Sequence, residues 1–106
     1  MSFQVRMQAT DDAASIWLSG ELDSESAPRL NEVIAEAVGR QANRLVLLMA
    51  DLTYMSSAGL RSLVLAHQKL PYGVEIVLIG TQPDVAETIR LTGMDRSFVM
   101  QGTPEP

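Results

Sequence analysis

Two aliphatic runs, RLVLLM at 44–49 and VEIVLI at 74–79, limit the folds open to this chain of 106 residues. A strand with water on one face alternates apolar and polar residues. A nearly unbroken apolar strand suits a sheet covered on both faces, as in α/β proteins. Between the runs, Leu60, Leu63, Val64 and His67 recur at helical spacing. Pro71-Tyr72-Gly73 then stops that helix. Strand, helix, strand is a crossover unit, which implies a parallel pair joined right-handedly.

The remaining segments extend this pattern. Phe3, Val5 and Met7 alternate with Gln4, Arg6 and Gln8, the period of a half-buried strand. Thr10-Asp11-Asp12 is a turn, and ASIWLS at 14–19 is a second strand, so the chain is expected to open with an antiparallel hairpin. GELDSES at 20–26 reads as a polar loop ending on Ser26, an N-cap, with Pro28 in the first helical turn. Leu30, Val33, Ile34, Ala37 and Val38 mark one buried helical face, which Gly39 ends. After the second run, Gly80-Thr81-Gln82-Pro83 leads into a third helix with Val85, Ala86, Ile89 and Thr92 on one face. Gly93 ends that helix, and SFVM at 97–100 is a last strand. The order is ββαβαβαβ: one α/β domain over 1–106, a mostly parallel mixed sheet after the hairpin, with a tail at 101–106 expected to fray. Trp17 is expected in the core.

Composition narrows the partners. With 46% hydrophobic and 20% charged residues the chain reads as a soluble globular domain. Its net charge of −5 argues against nucleic acid and against an anionic membrane surface. The lack of cysteine removes disulfide and thiolate chemistry and fits a cytoplasmic protein. No apolar run of about 18 residues is present, and the start MSFQVRMQATDD has no secretory core.

In such sheets, sites gather at the carboxyl ends of strands. GELDSES and ADLTYMSS (50–57) both follow strands and are expected at one end of the sheet. At the start of the second helix sit Ser56 and Ser57, where unpaired N–H groups and the positive end of the helix dipole favour a phosphate. The simpler reading has Ser56 capping the helix and Ser57 solvated; both hold together if Ser56 caps and Ser57 accepts. Asp23 either closes a turn or belongs to a partner surface, and Asp51 reads as closing a turn. Tyr54 and Met55 either pack or form an apolar patch beside the serines. Arg61 follows Ser57 by four residues, one helical turn on.

Enzymatic readings are weak. A G-x-S-x-G elbow would need glycine where Met55 stands. The sole histidine, His67, lies roughly 15 Å along the helix from Ser57, far beyond hydrogen-bond reach. One histidine and no cysteine leave no material for a His/Cys metal cluster, and no phosphate-binding G-x-x-x-x-G-K-[ST] occurs. No catalytic residue, cofactor or metal is expected.

Three segments, in this order, resemble the STAS family, named for sulfate transporters and anti-sigma-factor antagonists. They are GELD at 20–23; DLTYMSSAGL at 51–60; and Pro83-Asp84-Val85 with Thr92-Gly93-Met94 downstream. The likeness is to the free-standing antagonists. It implies a partner switch: the unphosphorylated protein binds an anti-sigma factor and releases the sigma factor. The anti-sigma factor, or a related serine kinase, phosphorylates it to end binding, and a metal-dependent serine phosphatase resets it. By position the acceptor is Ser57, with Ser56 as the fallback. The implied partner surface comprises Asp23, Ser24, Tyr54, Met55, Ser56, Ser57, Ala58, Gly59 and Arg61. The chain departs from the family pattern at Ser56, where aspartate is usual, at Leu48, where an acidic residue is frequent, and at Arg61, where glycine occurs. The alternative within the family is a regulatory or scaffolding subunit of a transporter or lipid-transport complex, whose members often lack a phosphorylatable serine at this turn.

Overall fold

The computed structural model describes residues 2–102. Strands β1 (Phe3–Thr10) and β2 (Ala13–Leu22) form the hairpin. Helix α1 (Ala27–Gly39), strand β3 (Arg44–Met55), helix α2 (Ser57–Gln68), strand β4 (Glu75–Ile79) and helix α3 (Pro83–Leu91) follow. A 3₁₀ turn (Met94–Ser97) leads to β5 (Val99–Gln101). The five strands lie side by side in chain order, with only β1 antiparallel to its neighbour.

This order fixes where the helices sit. Each crossover steps to the next strand in the same direction, so three right-handed connections put all three helices on one face. Leu30 and Ile34 of α1, Leu60, Leu63 and Val64 of α2, and Val85 and Ile89 of α3 join one cluster with Ile16, Leu45, Leu47, Met49 and Leu78. The second face has no helix packed on it among the described residues. Val46 and Leu48 are half-buried, while Leu45, Leu47 and Met49 are fully buried. The expectation that RLVLLM is covered on both faces is therefore corrected. Trp17 also belongs to the open face: it is half-buried in register with Leu48, and the Arg6 guanidinium stacks 4.8 Å above its ring.

Strand β3 runs six residues beyond the aliphatic run, through the stretch expected to be a turn. The register with β2 shows how. Trp17 faces Leu48 but Ser19 faces Asp51; Gly20 faces Leu52 but Glu21 faces Tyr54. Each step carries one extra residue in β3, a bulge. The inward positions consequently change spacing from two to three, falling on Leu45, Leu47, Met49, Leu52 and Met55. Asp51 is an exposed strand residue opposite Ser19 and closes no turn.

The ends of other elements also move. β2 continues through Gly20, Glu21 and Leu22, so the first three residues of the expected polar loop are strand. Ser26 occupies the N-cap position of α1, but its hydroxyl makes no cap hydrogen bond. The last strand starts two residues later than the sequence suggests because the 3₁₀ turn takes up 94–97. Gln101 pairs with Ile79, so the sheet reaches into the tail; residues 103–106 of the expected frayed segment lie outside the described residues. His67 faces inward as a half-buried ring, edge-on to Phe98 at 5.8 Å.

Candidate functional site

The carboxyl ends of β2 and β3 run side by side, and one backbone group fastens them to α2. The Leu22 carbonyl accepts a hydrogen bond from the Ser56 N–H at 2.9 Å. The same oxygen sits against Gly59, where a Cβ would lie 2.5 Å from it and 3.0 Å from its carbon. Any side chain at 59 would therefore push the end of β2 away from the first turn of α2. This close backbone approach, rather than a positive φ, is what glycine provides here.

Ser56 starts α2 with an extended backbone, and its side-chain oxygen accepts from the Gly59 N–H at 3.0 Å. Its carbonyl accepts from the Leu60 N–H at 2.9 Å. Ser56 is thus the cap, half-buried and occupied. Ser57, the first residue of the helix, is exposed, as is Ala58 beside it. The Ser57 hydroxyl makes no hydrogen bond to another described residue. Arg61 is exposed one turn on and forms no ion pair among the described residues.

Across the seam, Asp23 organises the β2–α1 turn. Its Oδ1 accepts from the backbone N–H groups of Glu25 and Ser26, each at 3.0 Å. The Ser26 hydroxyl accepts from the Asp23 N–H at 2.9 Å and lies 3.0 Å from both Asp23 Oδ1 and the Glu21 carbonyl, to one of which it donates. These contacts explain why a serine is buried here, and why it does not cap α1. The Ser26 N–H, then the Ser26 hydroxyl, hold the Asp23 carboxyl below its ordinary value of 3.8. Ser24 at the tip is exposed. On the β3 side, Thr53 Oγ1 donates to the Gly20 carbonyl at 3.1 Å, tying the bulged strand to β2.

The residues singled out in the sequence divide into two groups. Asp23, Ser24, Tyr54, Ser57, Ala58 and Arg61 present side chains at or beside this end of the sheet, Tyr54 being 51% exposed. Met55 is 2% exposed and points into the core, because the second bulge turns it inward; it presents no side chain to a partner. Ser56 and Gly59 act from within, as cap and as spacer. Sequence reasoning missed the Leu22 carbonyl and the inward role of Ser26. The D-S-E-S pattern of an aspartate followed by serine at i+3 was the available signal for the latter. Among the described residues no group of three or more His, Cys, Asp or Glu side chains is placed to hold a metal ion.

A profile of the STAS domain matches residues 4–105. A Bordetella bronchiseptica protein named BtrV and described as a candidate anti-sigma factor antagonist is 30% identical over 103 residues, covering 96% of this chain and 89% of its own. The anti-sigma-F factor antagonist RsfB of Mycobacterium tuberculosis is 26% identical over 102 residues, covering 96% and 84%. A crystal structure of an anti-sigma factor antagonist from Mycobacterium paratuberculosis superposes with a TM-score of 0.81 at 28% identity, covering 96% of this chain and 87% of that one.

Two outcomes are expected from this geometry. Gly59→Ala inserts a methyl group against backbone, so it should cost about 1–3 kcal/mol in urea denaturation, as overpacking does. It should also weaken the Ser56 N–H bond, seen as faster amide exchange at that residue. A Gly59→Ala protein as stable as the wild type would remove the close approach from the account. The second outcome concerns pH. Asp23 has a folded value below its unfolded one, so its contribution is complete at neutral pH. It is lost as pH falls through 3.8 and then through the lower folded value. Asp23→Asn keeps an acceptor but does not titrate there, so the variant should lose less stability than the wild type between neutral pH and pH about 3. Parallel denaturation curves at each pH test this.

Proposed function

The chain belongs to the STAS domain family, and we propose that within it the protein acts as an anti-sigma-factor antagonist in a cytoplasmic partner-switching pathway. The unphosphorylated form binds an anti-sigma factor that is also a serine kinase, and so frees the sigma factor. Phosphorylation of Ser57 ends the binding, and a metal-dependent serine phosphatase restores it. The observation that carries this reading is the exposed, unengaged Ser57 hydroxyl at the first residue of α2, fixed beside the Asp23 turn. The names of the relatives point the same way. The scaffolding alternative is less favoured, because the resemblance implies that such subunits often lack a phosphorylatable serine at this turn, where Ser57 stands here.

The protein is then a kinase substrate and a binding module, not a catalyst. Ser57 is favoured over Ser56 as acceptor because the Ser56 oxygen is held by the Gly59 N–H. Asp23, Ser24, Tyr54, Ala58 and Arg61 meet the partner around the acceptor. Met55, Ser56 and Gly59 shape the same surface from below.

Phosphorylation acts on this surface without unfolding it. A phosphate on Ser57 adds about −1.5 to −2 charges. It stands at a helix N-terminus, where the dipole favours negative charge by about 0.3–1 kcal/mol. Arg61, one turn on, is placed for a charge-assisted contact. Both effects favour the phosphorylated fold, so binding is lost at the interface itself, through steric exclusion and the cost of desolvating the new charge.

Incubation with the cognate kinase and ATP should add one phosphate, and Ser57→Ala should abolish the gain in intact mass. Phospho-Ser57 protein should bind the anti-sigma factor at least tenfold more weakly, which needs only about 1.4 kcal/mol, and should melt no earlier than the free form. A phosphate that maps to Ser56, or binding unaffected by phosphate on Ser57, contradicts the assignment.

A further inference from the structure

The open face of the sheet carries two registered apolar rows. Trp17, Leu48 and Ile79 form one, and Val46, Val77 and Val99 the other. None of these side chains joins the cluster beneath the helices. Val77, at 3% exposure, is buried at the middle of the patch, whereas Val99 at its edge is 38% exposed. Polar residues frame the rows. Asp51 lies one row toward the carboxyl end of β3, beside Ser19. Arg44 lies one row toward the other end, paired with Glu75 at 3.1 Å. An apolar patch with a polar rim marks an interaction surface.

The rim indicates the occupant. A two-fold axis lying in the face, perpendicular to the strands and between the two rows, exchanges them. On β3 it sets Leu48 against Val46 of a second copy, and Asp51 against Arg44. On β4 it sets Ile79 against Val77, and on β2 it sets the large Trp17 against the small Ser15. Large side chains meet smaller ones, and Asp51 of each copy meets the Arg44–Glu75 pair of the other on its arginine side, twice by symmetry. This is the self-complementarity of an isologous contact, in the aligned geometry of sheet-on-sheet packing. Neighbouring strands about 4.8 Å apart and residues about 3.3 Å apart make the patch roughly 15 by 20 Å. That is a small footprint, so the association is weak and concentration-dependent.

We infer that the open face of the sheet is the contact surface of a two-fold homodimer, packed sheet against sheet with antiparallel strands. The inference does not rest on the proposed switch. The dimer uses the face opposite the helices and leaves both Ser57 turns free to meet partners.

Trp17 is the only tryptophan, so it reports on the contact. Sedimentation velocity from micromolar to millimolar protein should show a monomer–dimer equilibrium, accompanied by a concentration-dependent blue shift in tryptophan emission. Leu48→Arg should weaken dimerisation at least tenfold while a thermal melt confirms the fold. Asp51→Arg and Arg44→Asp should each weaken it, and the two together should restore it. A protein that stays monomeric throughout overturns the inference, as does a dimer indifferent to Leu48→Arg or a charge swap without recovery. A monomer whose Leu48→Arg variant instead binds the anti-sigma factor less well assigns the face to that partner, and equally overturns the dimer.

Discussion

One carbonyl, that of Leu22, holds the proposed switch together. It ends β2, accepts the N–H of the helix cap Ser56, and lies so close to residue 59 that only a glycine fits. Two loops from distant parts of the chain thereby become one surface. Without this tether the Asp23 turn and the start of α2 would be joined only through the β2–β3 pairing, and a modification on one would have a looser relation to the other. The tether is made of backbone, so it places no demand on the exposed side chains. Ser24, Tyr54, Ala58 and Arg61 take no part in it.

The two bulges of β3 serve the same end. A regular strand would carry its alternation on to the helix start. Two extra residues let Met49, Leu52 and Met55 all turn inward, and leave Asp51, Thr53 and Tyr54 outside. Thr53 then binds Gly20 across the seam. The division of labour between the two serines follows: the cap takes the position with the buried partner, and the next residue is left with a free hydroxyl in the positive field of the helix end.

Much of this was legible in the sequence. The periodicities at Leu30 to Val38 and Leu60 to His67 marked α1 and α2, and the run of elements gave the parallel sheet after a hairpin. The serine pair stood where a helix begins. What escaped reading depended on contacts between distant residues. The need for Gly59 lies in Leu22, and nothing near Gly59 in the chain reveals it. Inward residues three apart, at Met49, Leu52 and Met55, do not resemble a strand, so β3 seemed to stop early. The second face misled for a different reason. Val46, Leu48 and Trp17 are apolar, and apolarity says that a surface is to be covered without saying by what. With all helices on the other side, that cover is not supplied by α1, α2 or α3.

The central claim is that the Asp23 turn and the start of α2 form one preformed surface, and that phosphate on Ser57 alters this surface without remodelling the domain. Backbone amide chemical shifts of the free and phosphorylated protein test it most directly. Changes confined to residues near 20–27 and 53–62, with the amides of β1, β4 and α3 unmoved, are the expected result. Shifts spread through the sheet would show that phosphorylation works by refolding, and would contradict the account.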